Sequence, residues 1–458
     1  MAMENNRSLS MERLSPEIQK TAEAQELAAF DPVGQAQIST GKSDEQTVSS
    51  SGIGTSTSDT REAAISLKQF FPGGTSVEIG ISGDMQDDSG YEDPFYTTRL
   101  GLSVTQSLLR GYGADVNLAK IRQAQIDSSI SEYELRAFVE SLIAQVETAC
   151  WEYALSRRQI EIVEKSMKIA RQQMAETEEM IRVGTMAEAE LVAVQAEVAA
   201  QQQGLINAKS TLESRRIELL RLLNPPGNNV WRRDVIFIHP ATLPQIELDA
   251  VEDHVAVAKR MRPEINQAKL GIQRDDLELV YTKNGLLPRM DFFITLGKTG
   301  YADSFSGSAD DVTGDGYDAR AGLSLEYPFF NRNAGARHRR ALLSKDQSEK
   351  ALENLRQLVE TEVRKAYVEV RRTKEQISAS TATRNFQEEK LRIETEKFRV
   401  GRSTNFFVSQ AQRDLLVSRI GEVEALVNYL KALIEFYRLE GSLVERRGIA
   451  APGRIPIE

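Results

Sequence analysis

The chain has 458 residues, with 57 Lys and Arg against 67 Asp and Glu, a formal net charge of −10 and a hydrophobic fraction of 41%. The acidic balance argues against a nucleic-acid partner, since phosphate binding needs basic surface, and three histidines with a single cysteine, Cys150, leave no material for a His-rich metal site or an intrachain disulfide. No run of 18 apolar residues exists, so no transmembrane helix is expected, although a membrane β-barrel, built from short alternating strands, would pass that test unseen.

No secretory signal peptide opens the chain. Met3-Glu4-Asn5-Asn6-Arg7-Ser8-Leu9 reads as the interior of a helix, so residues 1–28 are expected to be the start of a first helical segment with a truncated or processed N-terminus. Residues 29–110 form a strand region, because the period switches to two. Ser76, Glu78 and Ser82 lie opposite Val77, Ile79 and Ile81, and Arg99, Gly101, Ser103 and Thr105 alternate with Leu100, Leu102 and Val104. Further strands are expected around Val33–Thr40 and Ala63–Leu67.

Residues 111–224 predict a long helical hairpin. From Ala114 to Val183 there is neither Gly nor Pro, the main helix breakers. At 1.5 Å per residue such an arm is roughly 100 Å long, wider than any compact domain. Arg182-Val183-Gly184 ends it, the glycine permitting the left-handed conformation that closes a helix. A helix returns from Thr185 to Asn224, where Pro225-Pro226 stops it. Cys150 falls inside the arm and reads as a core thiol.

A connecting segment, 225–250, and a helix over 251–286 lead to a second strand region, 287–330. There Asp291, Thr295 and Gly297 lie opposite Met290, Phe292, Ile294 and Leu296, and Arg320, Gly322, Ser324 and Glu326 alternate with Ala321, Leu323, Leu325 and Tyr327. Gly300 to Tyr317, rich in Asp, Ser and Gly, reads as an exposed loop. Its Asp311 to Gly316 segment matches part of a calcium loop, but Thr313 and Gly322 occupy the third and twelfth ligand positions and the EF-hand pattern fails. No metal site and no cofactor is expected.

Residues 331–441 repeat the hairpin. Ala336 to Val400 lacks Gly and Pro, and Leu352, Leu355, Val359, Val363, Ala366, Val370 and Ile377 form one stripe at about 3.57 residues per turn, between a coiled coil and a straight helix. Arg399-Val400-Gly401 is its tip, Arg402 to Glu440 returns, Gly441 closes, and 442–458 is left as a C-terminal tail. Glu360, Glu362, Arg364 and Lys365 read as a solvated face. Each returning helix carries one interior glycine, Gly204 or Gly421, which implies close packing or slight bending, with a hinge as the alternative.

The two halves are copies. Ala149, Glu152, Gln159, Arg182, Val183, Gly184, Gln195, Gly204, Glu218 and Arg221 recur as Ala366, Glu369, Gln376, Arg399, Val400, Gly401, Gln412, Gly421, Glu435 and Arg438, all at an offset of 217. That period is too long for a solenoid module.

Strands, long helix, Val-Gly tip and returning helix, twice over, resemble the outer membrane efflux protein (TolC) family. Leu287-Pro288 before a strand, Leu325-Glu326-Tyr327-Pro328-Phe329-Phe330 at a strand end, and Ala29-Phe30-Asp31-Pro32 with Phe71-Pro72-Gly73-Gly74 support it. The resemblance implies a mainly α fold with membrane β: internally duplicated coiled-coil hairpins that form a trimeric α-barrel tunnel joined to a transmembrane β-barrel. It implies a homotrimer in the outer membrane of a Gram-negative-type cell, with its tunnel in the periplasm. The partners implied are outer membrane lipid, a periplasmic adaptor (membrane fusion) protein and an inner-membrane transporter. Carried over residue by residue, the adaptor-contact candidates are Arg182, Val183, Gly184, Arg399, Val400 and Gly401. Some members ring the entrance with aspartates six and nine residues after the second tip glycine. Phe407 and Gln410 stand there instead, and Glu188 and Glu190 are the first-half candidates for entrance charge. The family's usual four strands per chain would give twelve in a trimer, and the extra first-half strands would enlarge the barrel.

The expected function is passive conduction, as the exit duct of a tripartite efflux pump for small molecules or drugs. The alternatives are the outer-membrane component of a type I protein secretion system and a structural coiled-coil surface protein. An enzyme is disfavoured: no nucleophile–base pairing, phosphate loop or metal-ligand cluster is found. A periplasmic adaptor would have one hairpin flanked by small β domains.

Overall fold

The computed structural model describes residues 1–49, 52–88, 93–236 and 247–450. Three short helices open the chain, α1 (Ala2–Asn5), α2 (Arg7–Glu12) and α3 (Leu14–Leu27). Strands β1 (Val33–Ser49), β2 (Gly52–Phe71), β3 (Thr75–Asp88) and β4 (Phe95–Ser107) follow. Next come α4 (Ala114–Asn117), the long α5 (Ala119–Arg182) and its return α6 (Ala189–Leu223). The second repeat holds α7 (Val251–Met261), α8 (Pro263–Asn284), β5 (Arg289–Ala302), α9 (Phe305–Asp311), β6 (Tyr317–Glu326), the long α10 (Arg332–Arg399), its return α11 (Asn405–Glu440) and α12 (Leu443–Arg446). The chain divides into a helical unit (Met1–Pro16, Ile130–Ala268, Ala351 onward) and a sheet unit (Glu17–Ser129, Lys269–Lys350).

In the sheet unit the six strands form one antiparallel sheet in the order β1-β2-β3-β4-β5-β6. The first half contributes four and the second half two, so the extra strands expected near Val33 and Ala63 are one long hairpin, β1–β2. The register keeps the binary pattern in step across the sheet. Leu67, Ile79, Leu102, Leu296 and Ala319 fall on one rung, and Ile65, Ile81 and Leu100 on the next. The opposite face carries Glu78, Ser103, Thr295 and Arg320 on one rung. Because side chains alternate with period two, one slip anywhere would exchange the faces. The expected loop over Gly300 to Tyr317 is partly structured. β5 runs on to Ala302, and α9 folds over the apolar face where Gly83, Thr98 and Gly300 leave room, with Phe305 over Gly83 and Ser308 2.8 Å from the Thr98 hydroxyl. Asp311 accepts the Tyr301 amide at 3.0 Å and so serves the loop's own backbone.

In the helical unit the apolar stripe of α10 is a packing seam: Leu352, Val359, Val363 and Val370 are buried and Leu355, Ala366 and Ile377 half-buried. α11 is extensively enclosed, with Val408, Ala411, Leu415, Tyr429, Leu433, Ile434 and Phe436 all buried. The helix expected over 251–286 is two helices. Pro263 lacks a donor and disfavours helical geometry at Arg262, which adopts ψ 126°. The first residues expected as tail are packed: α12 buries Leu443 and Val444. Of the segments 225–250 and 442–458, residues 237–246 and 451–458 lie outside the described residues. Cys150 is half-buried, and burial pushes its thiol up to about 11, which keeps it protonated and unreactive.

Candidate functional site: the paired helical tips

Both tips are built the same way. The Gly184 N–H donates to Ile181 O at 3.0 Å and the Thr185 N–H to Met180 O at 2.9 Å. At the second tip the Gly401 N–H donates to Phe398 O at 3.0 Å and the Arg402 N–H to Lys397 O at 2.8 Å. These are paired Schellman closures, and they need a left-handed residue: φ is 75° at Gly184 and 72° at Gly401. The residue before each glycine points away from the helix, Val183 60% and Val400 68% exposed. Arg182 pairs with Glu179 at 2.5 Å and Arg399 with Glu396 at 3.0 Å, again 217 residues apart. An exposed apolar residue flanked by a guanidinium on a closed turn suits a contact surface.

The first turns after the tips differ. Glu188 is exposed and Glu190 half-buried before and at the start of α6. On α11, Gln410 is exposed, Phe407 is 52% exposed, and its ring meets that of Phe406 edge-on at 5.6 Å. The sequence did not single out Asn405, which is fully buried and ties the two hairpins together. It accepts from Gln173 at 3.1 Å, and Gln173 in turn accepts from Gln412 at 2.6 Å. One step further, Arg413 of α11 reaches the buried Glu197 of α6 at 2.6 Å. The signal was present as a polar residue, Asn405, on the buried stripe of α11.

The sheet unit carries the second functional feature, a tilted apolar band. On β2 the apolar face first meets charge at Arg61, and on β5 at Lys298. Lys298 pairs with Leu100, Leu100 with Ile81 and Ile81 with Ile65, so the boundary moves four residues along the strands while crossing three strand spacings. At about 3.4 Å per residue and about 4.8 Å per spacing the slope is roughly 45°, near the strand tilt of about 35–45° in closed barrels. The other edge shifts the same way, from Gln69 on β2 to Gln106 on β4 to below Met290 and Leu325 on β5 and β6. Exposed aromatics flank the band: Phe305 and Tyr317 at the α9 end, Phe71, Tyr112, Tyr327, Phe329 and Phe330 at the other. On the polar face Arg99 reaches over Gly297 to Asp318 at 2.8 Å; a methyl at Gly297 would lie 2.5 Å from that guanidinium. Among the described residues no group of His, Cys, Asp and Glu can hold a metal, and no helix is long and apolar enough to cross a membrane.

A tilted apolar band between two aromatic girdles, on an edge-exposed sheet fed by paired helical hairpins, defines an outer-membrane channel. The family model for outer membrane efflux protein matches residues 22–225 and 255–442, and the chain belongs to that family. Solved structures agree on the fold. The outer-membrane channel OprN is 17% identical, with a TM-score of 0.71, 96% of this chain and 88% of that one covered. CusC is 16% identical, TM-score 0.72, covering 96% and 90%. The Campylobacter jejuni outer membrane channel CmeC is 15% identical, TM-score 0.68, covering 96% and 84%. A search of curated protein sequences finds no match. The protein is therefore an outer-membrane efflux channel and not an enzyme, and membership of the family implies trimeric assembly.

Proposed function

We propose that this chain is the exit duct of a tripartite pump that exports small molecules or drugs. Three copies close one barrel and one helical tunnel, because a six-stranded sheet with two open edges cannot stand alone in lipid. Six strands per chain give a larger barrel than the twelve-stranded one. An inner-membrane transporter supplies the energy and a periplasmic adaptor joins it to the duct. The observation that carries this reading is the identity of the two tips, down to the Schellman closure, the exposed valine and the Arg–Glu pair. Two such tips per chain present six equivalent surfaces in a trimer, matched to a hexameric ring of adaptor hairpins. Arg182, Val183, Gly184, Arg399, Val400 and Gly401 form the adaptor contact.

Glu188, Glu190, Phe407 and Gln410 line the entrance in this reading. Opening is a small rotation of α6 and α11, and the links from Asn405 and Arg413 to the first hairpin resist it. The Val183→Asp, Val400→Asp double variant tests the assignment. Trimer level and barrel insertion are expected to stay normal, while adaptor crosslinking and efflux are lost. Normal crosslinking and efflux would refute it.

A further inference from the structure

The junction between β6 and α10 holds the densest positive charge in an acidic chain. From Tyr327 to Ser344 there are four arginines, Arg332, Arg337, Arg339 and Arg340, one histidine and no acidic residue, against a net charge of −10 overall. All four arginines are exposed. Among the described residues no carboxylate lies within ion-pair distance of Arg337, Arg339 or Arg340. Arg332 opens α10, whose first turn has no acidic residue, so the helix dipole and that side chain have the same sign there. Uncompensated charge of this density implies an anion from outside the chain.

Two further features fix the kind of anion. Tyr327, Phe329 and Phe330 immediately precede the arginines and are 59%, 87% and 81% exposed. Aromatic rings at the edge of an apolar band mark the level of lipid headgroups, and Arg332 stacks over the Phe330 ring at 5.2 Å. Beside them opens a cavity of about 480 Å³ lined by the donors Arg110, Arg289, Arg337 and Asn333, while the amides of Asn117 and Asn331 in its wall are committed to backbone carbonyls. Arg110 shares its charge with Glu326 at 3.7 Å and Arg289 with Asp291 at 2.7 Å, which leaves Arg337 as the uncommitted cation.

We propose that this junction binds a glycerophospholipid of net negative charge, drawn from the leaflet on the helix side of the barrel. Its phosphate accepts hydrogen bonds from the exposed Arg339 and Arg340, with Arg337 supplying further charge. Its acyl chains lie along the apolar face beside Leu323 and Leu325, each about two-thirds exposed. Such a lipid anchors the duct at a set depth and neutralises the start of α10.

The proposal rests on the membrane placement of the sheet, and native mass spectrometry of the intact channel in micelles tests it. Phosphatidylglycerol and phosphatidylcholine of equal chain length are compared. Because basic residues near the headgroups attract anionic lipid, phosphatidylglycerol is expected to be retained at least about tenfold more strongly. The Arg337→Gln, Arg339→Gln, Arg340→Gln variant should lose that preference and the triple lysine variant should keep it. Equal retention of the two lipids by the wild-type channel would overturn the proposal. So would displacement of the lipid by millimolar inorganic phosphate, which would make the site a free-anion site. Dissociation of the lipid-free trimer in the glutamine variant but not the lysine variant would also overturn it, because the arginines would then face a neighbouring chain's carboxylates. A chain that fails to enter the membrane fraction at all would sink the placement of the sheet instead.

Discussion

The two repeats agree at their tips and disagree almost everywhere that the chain meets a different environment. At the tips the same glycine, the same pair of closing hydrogen bonds and the same Arg–Glu pair recur. In the sheet the first repeat supplies four strands and the second two. Just past the tips, Glu190 of α6 stands where Phe407 of α11 does, an acid against a phenyl ring. Duplication therefore leaves the hairpin turn untouched while each copy adapts its sheet and its returning helix. A feature held identical in two copies of otherwise divergent surroundings is what the adaptor contact proposed for both tips requires.

The largest effect is expected where the comparison is sharpest, between the faces of the sheet. Leu323 and Ser324 are sequence neighbours on opposite faces of β6. A charge on the lipid side costs about 2–4 kcal/mol near the midplane. Leu323→Arg should deplete trimer from the outer membrane, as should Leu102→Arg, whereas Ser324→Arg and Ser103→Arg should assemble normally. Heat-modifiable trimer on gels reads this directly, and equal loss from both faces would reverse the assignment.

The second effect separates the repeats by charge. Arg136 of α5 is 2% exposed and is the cation for two carboxylates, Glu140 at 3.7 Å and Glu445 of α12. The second-repeat equivalent of Glu140, Gln357, has no charge to bury. Burial pushes Glu140 up to about 8, partly offset by Arg136 and reinforced by Glu445. Its folded value lies above the unfolded one, so its contribution is present at low pH and is lost as pH rises from about 4.5 through about 8. Denaturation midpoints measured between pH 5 and 8 should fall with pH, by up to about 1.4 kcal/mol per unit from this group alone. Glu140→Gln should flatten that slope. An unchanged slope would show that the carboxyl is already ionised.

Much of this architecture was legible because it is periodic. The 217-residue offset, the Gly- and Pro-free arms and the period-two strands each repeat a local rule many times, and the structure keeps the strand faces that Leu102 and Ser103 predicted. What escaped was decided by tertiary partners. Nothing local marked Leu443 and Val444 as core, since their burial depends on how α12 packs. The α9 helix was hidden in an Asp-, Ser- and Gly-rich loop, and Gly83 and Thr98, some two hundred residues away, provide its seat. Arg262-Pro263 could have been read as a break, because proline constrains the residue before it. At the tips, Arg182, Val183 and Gly184 were visible only through their copies at Arg399, Val400 and Gly401.

A third effect compares glycines within one copy and across the two. At Gly184 and Gly401 a methyl would meet nothing within 4 Å, so the cost of Ala is the left-handed backbone alone, about 1–2 kcal/mol. Gly441 has the same φ, 74°, but a methyl there would lie 3.1 Å from the Arg262 nitrogen, so Gly441→Ala should cost more than either tip. Chemical denaturation of the three single variants ranks them, and a tip variant as costly as Gly441→Ala would mean that the tip glycines are packed against something.

The smallest effect has the opposite sign. Gly204 and Gly421 sit inside α6 and α11, where close packing was expected, yet a methyl at either would meet no atom within 4 Å in its own chain. Neither has a positive φ among the backbone exceptions. A helix-interior glycine with free space is simply a weak helix former, about 1 kcal/mol less favourable than Ala, and replacing it reduces the freedom of the unfolded chain. Gly204→Ala and Gly421→Ala should each stabilise the channel by about 0.4–1 kcal/mol. In a trimer a neighbouring chain can occupy that space, and the two copies need not be filled alike. If Gly421→Ala destabilises while Gly204→Ala stabilises, the second returning helix packs against another protomer at that point and the first does not. If both stabilise but efflux falls, the glycines act in the rotation that opens the tips, since added stiffness leaves the closed duct intact and hinders only its movement. Paired denaturation and efflux assays on the two variants distinguish packing from hinge, and they do so separately for each copy.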